Sequence, residues 1–94
     1  MFRAEYKVEG GKLIKVQVSK RGEKIDFVRI TGDFFMHPEE LIEDLEKALV
    51  GCPLDEKVIA EAIRCFVRDK GVVLLGVSPE DFARCIIRAV SHSG

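Results

Sequence analysis

The sequence has no long hydrophobic run, few cysteines, few histidines and no glycine-rich signature, and each shortage excludes a class of function. No stretch of about 18 consecutive apolar residues occurs, so no transmembrane helix is expected. The opening residues, Met1-Phe2-Arg3-Ala4-Glu5-Tyr6-Lys7, lack the apolar core of a signal peptide, which points to the cytoplasm. Three cysteines are an odd number and make no complete disulfide framework. Cys52, Cys65 and Cys85 lie 13 and 20 residues apart, far from a Cys-x-x-Cys zinc spacing, and read as buried or half-buried thiols. The Gly-x-Gly-x-x-Gly fingerprint, the phosphate-binding P-loop and the Gly-x-Ser-x-Gly elbow are all missing. His92 falls in a tail, residues 91–94, that reads as a fraying end. His37 has no cysteine or serine neighbour to activate, so it reads as an N-cap or surface residue rather than a base.

What is present is globular. Ninety-four residues make one domain, with 47% hydrophobic and 33% charged residues. The net charge of −1 argues against a strong nucleic-acid footprint, and no strand interleaves exposed aromatics with Lys or Arg. The charge is uneven: residues 1–31 carry +4, residues 32–62 carry −7 and residues 63–94 carry +2. An acidic middle on a basic frame reads either as a polar docking surface or as ordinary solvated faces.

Residues 4–9 alternate and end in Gly10-Gly11, the signal for a tight hairpin turn. Lys12 to Lys20 alternates again, with Ile14, Val16 and Val18 on one side. Arg21-Gly22-Glu23 is a second turn, and Ile25 to Thr31 a third strand with Val28 and Ile30 inward. Turns this short impose antiparallel pairing. The period then changes. Pro38 is placed at the first helical turn, and Leu41, Ile42, Leu45, Ala48 and Leu49 form a stripe whose other side is acidic. Gly51 and Pro53 stop this helix. Asp55 caps a second helix that buries Val58, Ile59, Ala62, Ile63, Phe66 and Val67 and ends at Gly71. Val72-Val73-Leu74-Leu75-Gly76-Val77 reads as an apolar connector laid over the core, with a short fourth strand as the alternative. Ser78-Pro79-Glu80-Asp81 opens a third helix whose buried stripe is Phe82, Cys85, Ile86, Ala89 and Val90. The fold class is α+β: a three-stranded antiparallel meander with three helices packed on one face, in the order β-β-β-α-α-α.

The joint between sheet and helices is the candidate partner-binding segment: Gly32, Asp33, Phe34, Phe35, Met36 and His37. Asp33 is expected to hold backbone N–H groups in the turn before the first helix. Phe34 and Phe35 cannot both point inward from an extended segment, so one enters the core and the other is left as a contact for a partner. The edge of the first strand and the acidic face of the first helix are further candidate surfaces. No catalytic, cofactor-binding or metal-ligating set emerges.

With those residues in hand, the chain resembles the C-terminal accessory domain of lipoate–protein ligases. The resemblance runs through Gly11-Lys12-Leu13-Ile14-Lys15-Val16, then Val28-Arg29-Ile30-Thr31-Gly32-Asp33-Phe34-Phe35, the Leu41…Leu45-Glu46…Leu49…Gly51 helix and the Ser78-Pro79-Glu80-Asp81-Phe82 helix start. It covers nearly the whole chain. In most of that family the domain follows a larger catalytic domain, for which 94 residues leave no room, so the resemblance implies the separate accessory subunit of a bipartite ligase. It further implies a heterodimer in which the catalytic partner binds lipoate, ATP and Mg²⁺, forms lipoyl-adenylate and passes lipoyl to a lysine of an acceptor domain. The small subunit would be required for adenylation, would meet the acceptor only indirectly, and would hold no cofactor, nucleic acid or membrane itself. The rival resemblance is to iron–sulfur cluster scaffold proteins. Those need a cysteine beside a glycine in the turn after the third strand, where this chain has Gly32-Asp33-Phe34-Phe35.

Overall fold

In the structure, a computed structural model that describes residues 1–91, the first three strands form one antiparallel sheet. They are β1 (Phe2–Lys7), β2 (Leu13–Arg21) and β3 (Lys24–Gly32), in the order β1-β2-β3. Gly10 and Gly11, at φ +101° and +97°, make the first turn as the glycine pair requires. Alternation puts Ile14, Val16 and Val18 of β2 and Val28 and Ile30 of β3 on one buried face. Helices α1 (Leu41–Leu49), α2 (Glu56–Lys70) and α3 (Pro79–Ser91) close that face. α1 lies over β3, α3 over β1 and β2, and α2 against the other two helices. Leu45, Leu49, Ile59, Ile63, Phe82 and Ile86 complete the core, each fully buried side chain contributing about 1.5–3 kcal/mol. The other face of the sheet is uncovered by any described element.

The helix signals of the sequence act locally. The Asp55 carboxylate accepts from the N–H groups of Lys57 and Val58, and Gly71 ends α2 in the left-handed region at φ +66°. Ser78 and Asp81 form a reciprocal capping box: the Ser78 N–H donates to the Asp81 carboxylate, and the Asp81 N–H to Ser78 Oγ.

Several expectations need correcting. Ala48 of α1 and Val58 of α2 are exposed rather than part of the buried stripes, and in α2 the buried places go to Ile59, Ala60 and Ile63. Residues 73–75 are not a connector but a strand, β5 (Val73–Leu75), paired antiparallel with β4 (Phe35–His37). Two extended segments crossing the same end of the core satisfy each other's backbone groups, which an unpaired connector would leave without partners. Pro38 precedes α1 rather than entering it. A turn closed by Leu41 N–H to Pro38 C=O (3.2 Å) and Ile42 N–H to Glu39 C=O (3.2 Å) comes first, and the His37–Pro38 bond is cis. Ser91 is helical, so a fraying end does not start there; the expectation for residues 92–94 lies outside the described residues.

The outer edge of β3 is blocked twice. The Glu46 carboxylate of α1 accepts the Ile30 N–H at 2.7 Å. Residues 51–54 pair alongside the start of the strand, through Gly51 N–H to Ile25 C=O (2.8 Å), Ile25 N–H to Cys52 C=O (2.9 Å) and Leu54 N–H to Glu23 C=O (2.8 Å). These contacts occupy donors and acceptors that would otherwise template another strand.

Candidate docking surface

The β3–β4 joint is built around Gly32. Its φ is +150°, and a Cβ there would stand 2.1 Å from the Leu13 carbonyl oxygen, so only glycine admits this approach of β2 and β3. Asp33 then locks the same place: its N–H donates to Leu13 C=O at 3.1 Å and its carboxylate accepts the Leu13 N–H. The expected backbone-holding role of Asp33 is present, but its target is the start of β2, not the turn before α1. α1 begins after Glu40 with no side-chain cap.

Phe34 and Phe35 divide. Phe34 turns inward and meets Phe82 of α3 edge to face, with ring centroids 5.0 Å apart. Phe35 points out and stacks on His37, with centroids 6.4 Å apart and planes 10° from parallel. Cross-strand register sets Phe35 opposite Leu75 and His37 opposite Val73. Residues opposite one another share a face of the ribbon, so these four side chains form one outward patch. Phe35 is 49% exposed, Leu75 57% and Val73 47%, whereas Met36 between them is 7% exposed on the inner side with Leu74 half-buried. A groove of about 430 Å³ runs beside the ribbon, lined by Ile30, Thr31, Phe34, Phe35, Glu39 and Ile42 among others.

Of the six residues singled out in the sequence, Phe35 and His37 thus stand on the outer face, Phe34 and Met36 beneath it, and Gly32 and Asp33 at its hinge to the sheet. Val73 and Leu75 were missed. In an apolar run nothing marks which residues turn outward; the available signal was that five apolar residues within six exceed what one short crossing can bury.

Among the described residues no three His, Cys, Asp or Glu side chains are grouped to hold a metal ion, and no charged side chain is buried. The donor set therefore does not suit a divalent cation or an iron–sulfur cluster. Burial pushes the Cys85 thiol up to about 11, and burial followed by the nearby Asp55 raises that of Cys52, so neither is primed as a nucleophile. Cys85 lies in the core with its sulfur 3.8 Å from the carbonyl oxygens of Ala4 and Ile14.

No described helix is long and apolar enough to cross a membrane. Of the other surfaces, the free edge of β1 is unpaired among the described residues. The outer side of α1 exposes Glu43 and Asp44 next to Glu39 and Glu40, while Glu46 is withdrawn to β3.

The chain is similar to known proteins over most of its length. Residues 1–86 match the model of the family described as the bacterial lipoate protein ligase C-terminus. A protein of Thermoplasma acidophilum called lipoate-protein ligase A subunit 2 is 38% identical over 86 residues, which cover 92% of this chain and 87% of that protein. A chain from a solved structure of the same organism's archaeal lipoylation system, described as a bi-partite lipoate protein ligase and its E2 lipoyl domain, superposes with a TM-score of 0.78. It is 38% identical, covering 92% of this chain and 93% of that one.

Proposed function

The chain belongs to the lipoate–protein ligase C-terminal family, and from that premise we propose that it is a non-catalytic accessory subunit in protein lipoylation. It docks on a catalytic lipoate–protein ligase chain, and ATP-dependent formation of lipoyl-adenylate requires it. Lipoate and ATP, with Mg²⁺, act at the catalytic chain. The observation that carries the reading is the exposed apolar face of the β4–β5 ribbon, Phe35, Leu75 and Val73 with His37. Exposed apolar clusters of this kind mark protein interfaces.

Adenylation needs a carboxylate and an α-phosphate held in near-attack geometry with water excluded. A small domain accelerates that step by binding more tightly to the ordered form of the catalytic chain's loops, and its effect is bounded by that difference in affinity. The test pairs this chain with the catalytic chain of its own organism and follows pyrophosphate release from lipoate and MgATP. The catalytic chain alone should be slow, and adding this chain should restore the rate. A Phe35→Ser, Leu75→Ser double variant should keep its circular dichroism yet neither co-elute nor restore. Full-rate adenylation by the catalytic chain alone would refute the proposal.

A further inference from the structure

The uncovered face of the three-stranded sheet is strongly one-signed. Its outward residues are Arg3, Glu5 and Lys7 on β1, Lys15, Gln17 and Ser19 on β2, and Phe27, Arg29 and Thr31 on β3. Four cations thus stand against one carboxylate, and that carboxylate, Glu5, reaches Lys15 only at 3.9 Å. Register sets Arg3, Gln17 and Arg29 in one row across all three strands and Glu5, Lys15 and Thr31 in the next. Two strand spacings put the backbones of Arg3 and Arg29 about 9–10 Å apart, with Gln17 between them. Among the described residues neither arginine has an ion-pair partner. A depression of about 360 Å³ lies over these rows.

We infer that, in place of the indirect contact the resemblance implies, this sheet face is a direct docking site for a carboxylate-rich surface of the lipoyl-acceptor protein, with Arg3 and Arg29 as its anchoring cations. The inference rests on the function proposed above. Charge complementarity selects an anionic occupant, and the breadth of the patch across three strands selects a macromolecule over a small anion. Phe27 is the one aromatic side chain on this face and stands at its end, so the stacking platform of a single-stranded nucleic-acid binder is missing. A charged, solvated face suits a partner that must arrive quickly and leave after each transfer, whereas the apolar ribbon suits a lasting contact. The two surfaces meet: Thr31 lines both depressions. A catalytic chain seated on the ribbon would therefore have the acceptor held beside it.

The experiment uses the assembled complex of this chain with its catalytic chain and the apo acceptor domain of the same organism. An Arg3→Glu, Arg29→Glu variant should leave subunit association and lipoyl-adenylate formation unchanged and raise KM for the acceptor at least about fivefold. An Arg3→Lys, Arg29→Lys variant should retain most of the wild-type KM. Without any substitution, KM for the acceptor should rise as NaCl goes from about 50 to about 300 mM. An unchanged KM in the charge-reversed complex, with adenylation intact, overturns this inference alone. Loss of subunit association in that variant also overturns it, by assigning the face to the catalytic chain. Competition between acceptor and an RNA oligonucleotide for the wild-type chain overturns it in favour of nucleic acid. If the wild-type chains fail to associate at all, the proposed accessory role falls first and this inference with it.

Discussion

A Cβ added at Gly32 would press on the Leu13 carbonyl oxygen, a backbone atom fixed by the sheet on both sides, so neither partner has room to give. Gly32→Ala should cost about 2–3 kcal/mol, read as a lower urea midpoint at unchanged slope. The same substitution at Gly10, at φ +101° and with nothing within 4 Å of an added Cβ, is the control that separates the close approach from the strain of a positive φ. Cys85 makes a different kind of prediction. Its thiol is raised from the ordinary value of 9.0 to about 11 by burial in the core. The folded chain therefore holds its proton in a range where the unfolded chain has lost it. The contribution of Cys85 to stability is full below pH 9 and is lost as pH rises through about 11. Thermal unfolding followed from pH 8 to pH 11 should show this fall, and Cys85→Ala should flatten it from a lower starting stability. In the native state at pH 8, alkylation should reach half-exposed Cys65 first and leave Cys85 unmodified.

Among the elements, the sheet edges carry the next prediction. Glu46 spends its carboxylate on the Ile30 N–H, which belongs to the outer side of β3 because Lys15, Gln17 and Ser19 of β2 hold the alternate residues. Glu46→Ala should cost about 1–2 kcal/mol and open that edge, so the variant should also self-associate at concentrations where the parent is monodisperse in light scattering. Glu46→Gln keeps an acceptor and should lose less. The elements themselves were legible wherever a period or a cap wrote them: the alternation of Ile14, Val16 and Val18, the Asp55 cap, the Ser78–Asp81 box. β4 and β5 were not. Each is three residues long, too short to show alternation, and each exists because the other lies beside it. That pairing joins residues 36 to 40 positions apart, and no local pattern reports it. The outward Phe35 was legible as one of two adjacent phenylalanines, but its neighbours Leu75 and Val73 became part of a patch only through the same long-range register. The cationic sheet face was visible as an excess of Lys and Arg before residue 31; that four of them share one face follows from the strand register.

At the scale of the whole molecule, the described residues hold two sheets of unequal security. β1-β2-β3 is closed on its inner face by three helices, whereas β4 and β5 hydrogen-bond to one another and reach the core through Leu74 and the adjoining Phe34. A two-stranded ribbon has marginal stability of its own. Its opening should therefore cost much less than global unfolding, and amide exchange should divide the chain accordingly. In the isolated chain, amides of residues 35–37 and 73–75 should exchange through local opening while those of β2 exchange only with global unfolding. If the ribbon's outer face is where the catalytic chain sits, docking buries Phe35, Val73 and Leu75 and raises the cost of opening by the binding free energy. Exchange at those six positions should then slow by about tenfold or more in the complex, with β2 little affected beyond the general stabilisation that binding brings. Protection confined instead to α1 or to the free edge of β1 would move the docking surface there. The ribbon's weak attachment and its exposed apolar face are consistent with one physical arrangement: an element incomplete within its own chain, finished by the partner that covers it.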